Sequence, residues 1–363
     1  MNEFEQKYTQ VIRLLDQNRL GALLLRKTSS FAWATCGASS YVNKASSNGD
    51  SMLLITPKDR YLITNNIEAP RMEKEEKLHE QGWKFHVKPW QVQINDIKML
   101  IGDQALGSDG PFSEAVDLSE ELSRLRAVLT ADEVKRFRSL GRLCAAAMDK
   151  AARSILPGQT EHQISARLAY EAEKRGVQDI VNLVATDDRI FHFRHPLPTV
   201  KKMNRYAMVV LCGRRWGLVC SLTRFVYFGK LPEELKYKSR ALAQIDASLI
   251  SATRPGNKLK YLFQTIIESY DKLGFPDEWK LHHQGGPAGY EPREWLVTPN
   301  CEDIVKVNQT YAWNPSIRGA KSEDTLLVGE TGNEVLSIID DWPKLSFEIN
   351  GDEYMRPAIL EIE

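Results

Sequence analysis

Three histidines stand in segments rich in glycine and proline: His195 in FRHPLPT, and His282 with His283 in HHQGGPAGYEPRE. Imidazole is the side chain whose ordinary pKa lets it take and return a proton near neutral pH, so these positions offer general acid–base chemistry. His195, which precedes Pro196, also fits a strand-end histidine satisfied by the backbone. His282 and His283 are adjacent, so along an extended strand their side chains point to opposite faces and at most one enters a shared site. Gly285 and Gly286 permit either a tight turn or a close approach of backbone N–H groups to a ligand. Farther on, AWNPSIRGAKSEDTLLV carries Asn314, a neutral amide that donates and accepts, and Glu323, ordinarily ionised and a weak base. Tyr290 is ordinarily protonated and a weak acid. Glu323 followed by Asp324 can instead cap a turn, and Arg224 in SLTRF is read as a structural ion-pair partner.

Composition narrows the partners. The 363 residues carry 48 Lys plus Arg against 48 Asp plus Glu, so nothing supplies the basic surface that nucleic acid requires. Small molecules or proteins fit better as partners. At 42% hydrophobic and 26% charged, the chain is long enough for two cores. The start, MNEFEQKYTQVIRLLDQNRL, is charged and amphipathic with no apolar h-region, and no run approaches bilayer length. The expectation is a soluble, cytoplasmic protein with no membrane partner. Cys36, Cys144, Cys212, Cys220 and Cys301 are scattered without a C-x-x-C pair, as reduced, buried thiols would be. Zinc held by Cys212, Cys220, His282 and His283 is the one metal alternative, and no pair among them has a known ligand spacing. No metal and no cofactor is expected.

These groups need elements to hold them. Residues 4–18 read as a helix, and GALLLRK, SMLLITP and DRYLITN as short strands between Gly, Pro, Asn and Asp punctuation. The alternation runs on from QINDIKMLIG to GSDGPFSEAVDL. A new helix begins at Thr130-Ala-Asp-Glu133 and another at Thr160-Glu-His-Gln163, both with capping-box spacing. YAMVVLCGR and LVCSLTRFVYFG are strand-like, KLPEELKYKSRALAQIDASLISAT is helical, and QTYAWNPSI and SEDTLLVGETG form a strand pair.

In order and motif the chain resembles the creatinase and aminopeptidase P group. LTADEVKRFR, LPGQTEHQIS, RHPLPT, GLVCSLTRFVYFG, HHQGGPAGYEP, AWNP and KSEDTLLV follow one another as in that group and span nearly the whole chain. The resemblance implies an α/β N-terminal domain, creatinase-like, over 1–128, followed by an α+β pita-bread domain over 129–363. It also implies a homodimer. Where metallopeptidase members carry five ligands, this chain places Leu211, Ser221, Gly286, Asn314 and Glu323, so only the last glutamate persists and a dinuclear shell cannot form.

Creatinases within the group work without metal. By that resemblance His195 is the acid–base residue and His282 the first histidine of the glycine-rich loop. Catalysis is assigned to His195, Glu323 and His282, and substrate contacts to Asn314, His283, Tyr290 and Glu291. Asn43 and Lys44 in SSYVNKASSNG fall where the group anchors substrate. The departure at Asn314, a glutamate in creatinases, argues against a guanidinium. The first reading is a metal-independent hydrolase of a small amide, amidine or guanidino compound. The second is a non-catalytic relative that binds a small ligand or peptide, and the third is an Xaa-Pro metallopeptidase.

Overall fold

The computed structural model describes residues 2–93 and 96–363. Ile94 and Asn95, within the expected QINDIKMLIG segment, lie outside them. The described residues divide into two compact units, 1–126 with 216–218, and 127–215 with 219–363.

The first unit runs α1 (Glu3–Asn18), β1 (Ala22–Lys27), α2 (Thr28–Ala34), β2 (Asn48–Ile55), β3 (Arg60–Asn65), α3 (Ala69–Lys74), β4 (Lys84–Lys88), α4 (Ile97–Ile101), β5 (Leu106–Ser108), β6 (Ala115–Asp117) and α5 (Ser119–Arg126). Asn2 opens α1 by accepting from the Glu5 N–H at 2.8 Å, an N-cap for one of the helix's orphan donors. The strands form one sheet in the order β4-β3-β2-β1-β5-β6, with β1 against β2 antiparallel and against β5 parallel. Ala22, Leu24, Leu54, Ile63 and Leu106 fill one of its faces with Ile97 and Ile101 from α4. Helix α2 has no counterpart in the sequence reading, because all seven of its residues are buried and it therefore has no polar face to reveal a helical period.

The second unit runs α6 (Ala131–Arg153), α7 (Glu161–Glu173), β7 (Gln178–Thr186), α8 (Arg189–His192), β8 (Tyr206–Arg215), β9 (Leu218–Phe228), α9 (Glu233–Ala252), α10 (Leu259–Lys272), β10 (Gly285–Ala288), β11 (Thr310–Trp313), β12 (Ser316–Ile317), β13 (Ala320–Lys321), β14 (Asp324–Val328), β15 (Asn333–Val335), β16 (Lys344–Ile349), β17 (Asp352–Pro357) and β18 (Leu360–Ile362). Both expected capping boxes form: the Thr130 and Thr160 hydroxyls accept from the N3 amides of α6 and α7, and Glu133 and Gln163 reach back to the cap N–H groups. One sheet has the order β18-β9-β8-β7 and another β10-β11-β14-β15. The expected strand pair is β11 against β14, antiparallel, with Thr310 opposite Leu327. Helices α9 and α10 cover Tyr311, Trp313, Leu326 and Val328 of that second sheet.

Candidate functional site

A cavity of about 330 Å³ in the second unit gathers most of the motif residues. β7 gives it Val181 and Leu183, β8 gives Val210 and Cys212, and the segment after β10 gives Pro292, Arg293 and Leu296. His195, His283, Asn314, Lys321 and Glu323 complete the wall. A larger cavity of about 580 Å³ in the first unit, around Ile97, Phe112 and Glu114, holds none of the motif residues.

Glu323 is the centre of the polar side. Its carboxylate accepts from the Thr223 hydroxyl at 2.6 Å and pairs with the Lys321 ammonium at 2.8 Å and the Arg293 guanidinium at 2.9 Å. Burial alone would raise its pKa. The two cations and their hydrogen bonds overcome that and hold the carboxyl far below the usual range, so it is ionised. Lys321 reaches it because residues two apart on an extended segment share a face. The Ser221 amide donates to the Thr325 hydroxyl, and Thr325 donates to the Ser221 carbonyl, which fixes β9 against β14 and so sets Thr223 beside Glu323.

The three imidazoles cluster at the other side. His282 and His195 meet Nε2 to Nε2 at 3.1 Å, and His282 Nδ1 lies 3.1 Å from the Ser316 hydroxyl. The ring of His283 lies 5.6 Å from that of His195, centroid to centroid. Both adjacent histidines join the cluster, where one was expected: His283 lines the cavity, and His282 is buried beside it with Ile190, Met208 and Ser316. Their rings are 4.6 Å apart and both reach His195, because the two residues precede β10 and do not follow a strand's alternation. His195 itself is exposed at the mouth. Burial, then the field of Lys321 and of the neighbouring imidazoles, lowers the His282 pKa to about 2. Burial and the Arg293 charge lower His283 to about 4. His195 is lowered by partial desolvation and Lys321, against a smaller raising effect of Glu323. All three rings are neutral at pH 7.

Local structure explains why these side chains meet. Gly285 has φ +105°, and a Cβ there would come within 2.2 Å of the Ala312 carbonyl, so only glycine lets the chain after His283 run this close to β11. The Asn314 amide donates to the Gln284 carbonyl at 3.0 Å, and the Gln284 side chain donates to the His282 carbonyl at 2.6 Å. On the His195 side, Arg194 is ion-paired to Glu278, whose carboxylate also accepts from the Arg318 amide. Among the described residues, Asn314 Oδ1, His283 Nδ1 and Arg293 Nε are buried without a hydrogen-bond partner.

Several expectations need correction. Leu211 does not face the site: Cys212, one residue on, does, its thiol 3.2 Å from the Ser221 hydroxyl, because a strand's facing alternates with every residue. Burial and then Glu323 raise that thiol to about 11. Gly286 lies within β10 opposite Ala312, and His283 supplies the side chain that loop presents. Tyr290 is buried with its hydroxyl donating to Glu133 at 2.6 Å and does not line the cavity, nor does Glu291. Asn43 and Lys44 lie on an exposed turn of the first unit, where the Asn43 side chain accepts from the Ala45 amide. Arg224 is the structural ion-pair partner expected, bonded to Asp324 at 2.8 Å. Of the GYEPRE residues that motif position places at the cavity, Arg293 does line it, and Lys321 lay outside the assigned site residues although its spacing from Glu323 carried the signal.

The donor set decides what ions fit. A dinuclear centre needs several carboxylates to offset two divalent charges. Glu323 is the one carboxylate lining the cavity among the described residues, and two cations already neutralise it. The dinuclear set does not fit. His195, His282 and His283 place ring nitrogens within 4.8 Å of one another, close enough for a single ion, but Lys321 and Arg293 make their surroundings positive.

Comparisons with known proteins match residues 135–330 to metallopeptidase family M24. The chain is 21% identical over 361 residues to a protein named Xaa-Pro dipeptidase from Pyrococcus horikoshii, covering 93% of this chain and 98% of that one. It shares its fold with the prolidase of the same organism, at TM-score 0.78 and 18% identity over 92% and 99% of the two chains. The Xaa-Pro dipeptidase structure from Bacillus anthracis aligns at TM-score 0.80 and 17% identity, over 99% and 100%. The two-domain architecture, an α/β domain before a pita-bread domain, is the fold of these proteins.

Proposed function

This chain belongs to metallopeptidase family M24, and on that premise we propose that it is a metal-independent member, hydrolysing a C–N bond in a small amide, amidine or guanidino compound. The observation that carries this reading is the Lys321–Glu323–Arg293 cluster, in which an ammonium and a guanidinium take the counter-charge role on the one glutamate kept from the ligand set. Neutral His195 at the mouth removes a proton from water as the water oxygen attacks the substrate carbon. Negative charge gathering on the heteroatom of that carbon is met by Lys321. The protonated imidazole then returns its proton to the leaving nitrogen, and the C–N bond breaks. The His282 contact holds the His195 ring, and Asn314 orients a substrate polar group. No helix among the described residues is long and apolar enough to cross a membrane. A homodimer belongs to the same proposal, on the family resemblance, and sedimentation tests it.

The test is a screen of small amides, guanidino acids and Xaa-Pro dipeptides in the presence of a strong chelator. Turnover that persists with chelator and disappears in His195→Ala supports the reading. Turnover of Xaa-Pro dipeptides that appears only on adding manganese, cobalt or zinc replaces it with the metallopeptidase reading, which the grouping of three imidazoles favours. No turnover of any compound, with ligand binding retained, leaves a non-catalytic binding protein.

A further inference from the structure

The geometry points to the cavity as a receptor for a small organic monoanion, its acid group seated on the Lys321 ammonium and its apolar part against Val181, Leu183 and Leu296. This deepens the proposed function by narrowing its substrates to acid-bearing amides over cationic amidines and guanidines, and it rests on that reading only in taking this cavity as the working site.

Charge is the first argument. Lys321 and Arg293 bring two positive charges to Glu323, which brings one negative charge, so the cluster is left with one cation in excess. Lys321 is 9% exposed and Glu323 2%. A charge held this far from water and without a counter-ion is costly, and an anion entering the cavity relieves that cost. The same excess opposes a divalent cation.

Donor geometry is the second. The two terminal nitrogens of Arg293 are committed to Glu323, the Ser221 hydroxyl and the Pro292 carbonyl, and only its Nε is unpartnered. An ammonium has three donors, and Glu323 takes one from Lys321. Asn314 is 2% exposed, lines the cavity and has a buried amide oxygen with no partner, and His283 Nδ1 is likewise buried and unpartnered. Neutral His283 donates from that nitrogen in one tautomer, and the Asn314 oxygen accepts from an N–H of the ligand. Facing this polar side is an aliphatic wall from β7 and Leu296. A cavity polar at one end and apolar at the other selects an amphipathic ligand.

Benzoate, benzamide and benzamidine have one shape and charges of −1, 0 and +1, so titrating each into the full-length protein by calorimetry, with thermal unfolding alongside, reads the charge preference directly. Benzoate is expected to bind about tenfold or more tighter than benzamide, with benzamidine weaker than either. Lys321→Met removes the excess charge and should bring benzoate down to the affinity of benzamide. Glu323→Gln raises the excess and should tighten benzoate several-fold, which keeps the test decisive if Lys321→Met does not fold. Benzamidine binding as well as benzoate, none of the three binding, or Glu323→Gln weakening benzoate would each overturn the receptor. Benzoate binding without turnover of any C–N compound leaves the receptor standing and removes the hydrolase. Chelator-resistant turnover of neutral amides without benzoate binding does the reverse.

Discussion

At the entry to β14, Glu323 lines the cavity and Asp324 lies in the core, and each collects its own cations. Asp324 pairs with Arg224 at 2.8 Å and Arg356 at 2.7 Å, and Arg356 also holds Asp246 at 2.6 Å. Two guanidinium groups and two carboxylates balance there, and the Ser322 and Ser337 hydroxyls donate to the carboxylates. Each cluster leaves one arginine Nε without a partner, Arg224 in the first and Arg293 in the second, but the Glu323 cluster holds two cations against one carboxylate and lies beside a cavity. Neighbouring residues thus serve a closed, balanced network and an open, unbalanced one. Pairing by itself does not separate the two carboxylates; residual charge and an adjoining cavity do.

The largest effect should come from breaking the closed cluster. Arg356→Met leaves Asp246 and Asp324 buried with too little counter-charge and should cost about 3–5 kcal/mol in urea unfolding. Lys321→Met, which leaves Glu323 its Arg293 partner, should cost clearly less. Equal losses would mean that the two clusters are of one kind. The opposite signature belongs to the cavity: His195→Ala should lower turnover of a substrate from the screen by about 10²-fold with an unchanged unfolding midpoint.

Titration sharpens the contrast further. The folded pKa values of His282 and His283 lie below the ordinary 6.5, so the unfolded chain binds more protons than the folded one as pH falls from 6.5 towards about 4. Stability is full above that window and declines through it, and Glu323, held lower than the usual 4.5 when folded, adds a further loss below that value. Unfolding free energies measured from pH 8 to 4 should show the decline, and His283→Asn should make it shallower. The smallest effect is expected of Thr223→Val, which removes one hydrogen bond to a charged acceptor and should cost about 1.5–3 kcal/mol at most. A change in benzoate affinity larger than that of Lys321→Met would show that the hydroxyl, and not the ammonium, governs the open cluster.

Much of the framework was legible in the sequence because its signals are local. A threonine three residues before Glu133 or Gln163 starts a helix wherever it occurs, and the apolar runs of β1, β8 and β9 read as strands on their own. Of the site, His195, His283, Asn314 and Glu323 were named and do line the cavity. Other members depended on facts no local window contains. Choosing Cys212 over Leu211 needs the strand's facing, which slips by one residue with a single change in loop length. Arg293 meets Glu323 across 30 positions of chain, and Tyr290 finds Glu133 across 157.

Glu161, the first residue of α7, is fully buried, and its carboxylate accepts from the amide and hydroxyl of Thr186, from Arg189, and from the amide and hydroxyl of Thr199. The segment that carries His195 is therefore tied at both of its ends to one anion. Such a segment cannot fray residue by residue, since freeing either end strands a charge in the interior. Its amides, wherever hydrogen-bonded, should exchange with solvent together and at one rate, as a single cooperative unit. The imidazole at the mouth of the cavity thus stands on a segment anchored by a carboxylate that does not line the cavity.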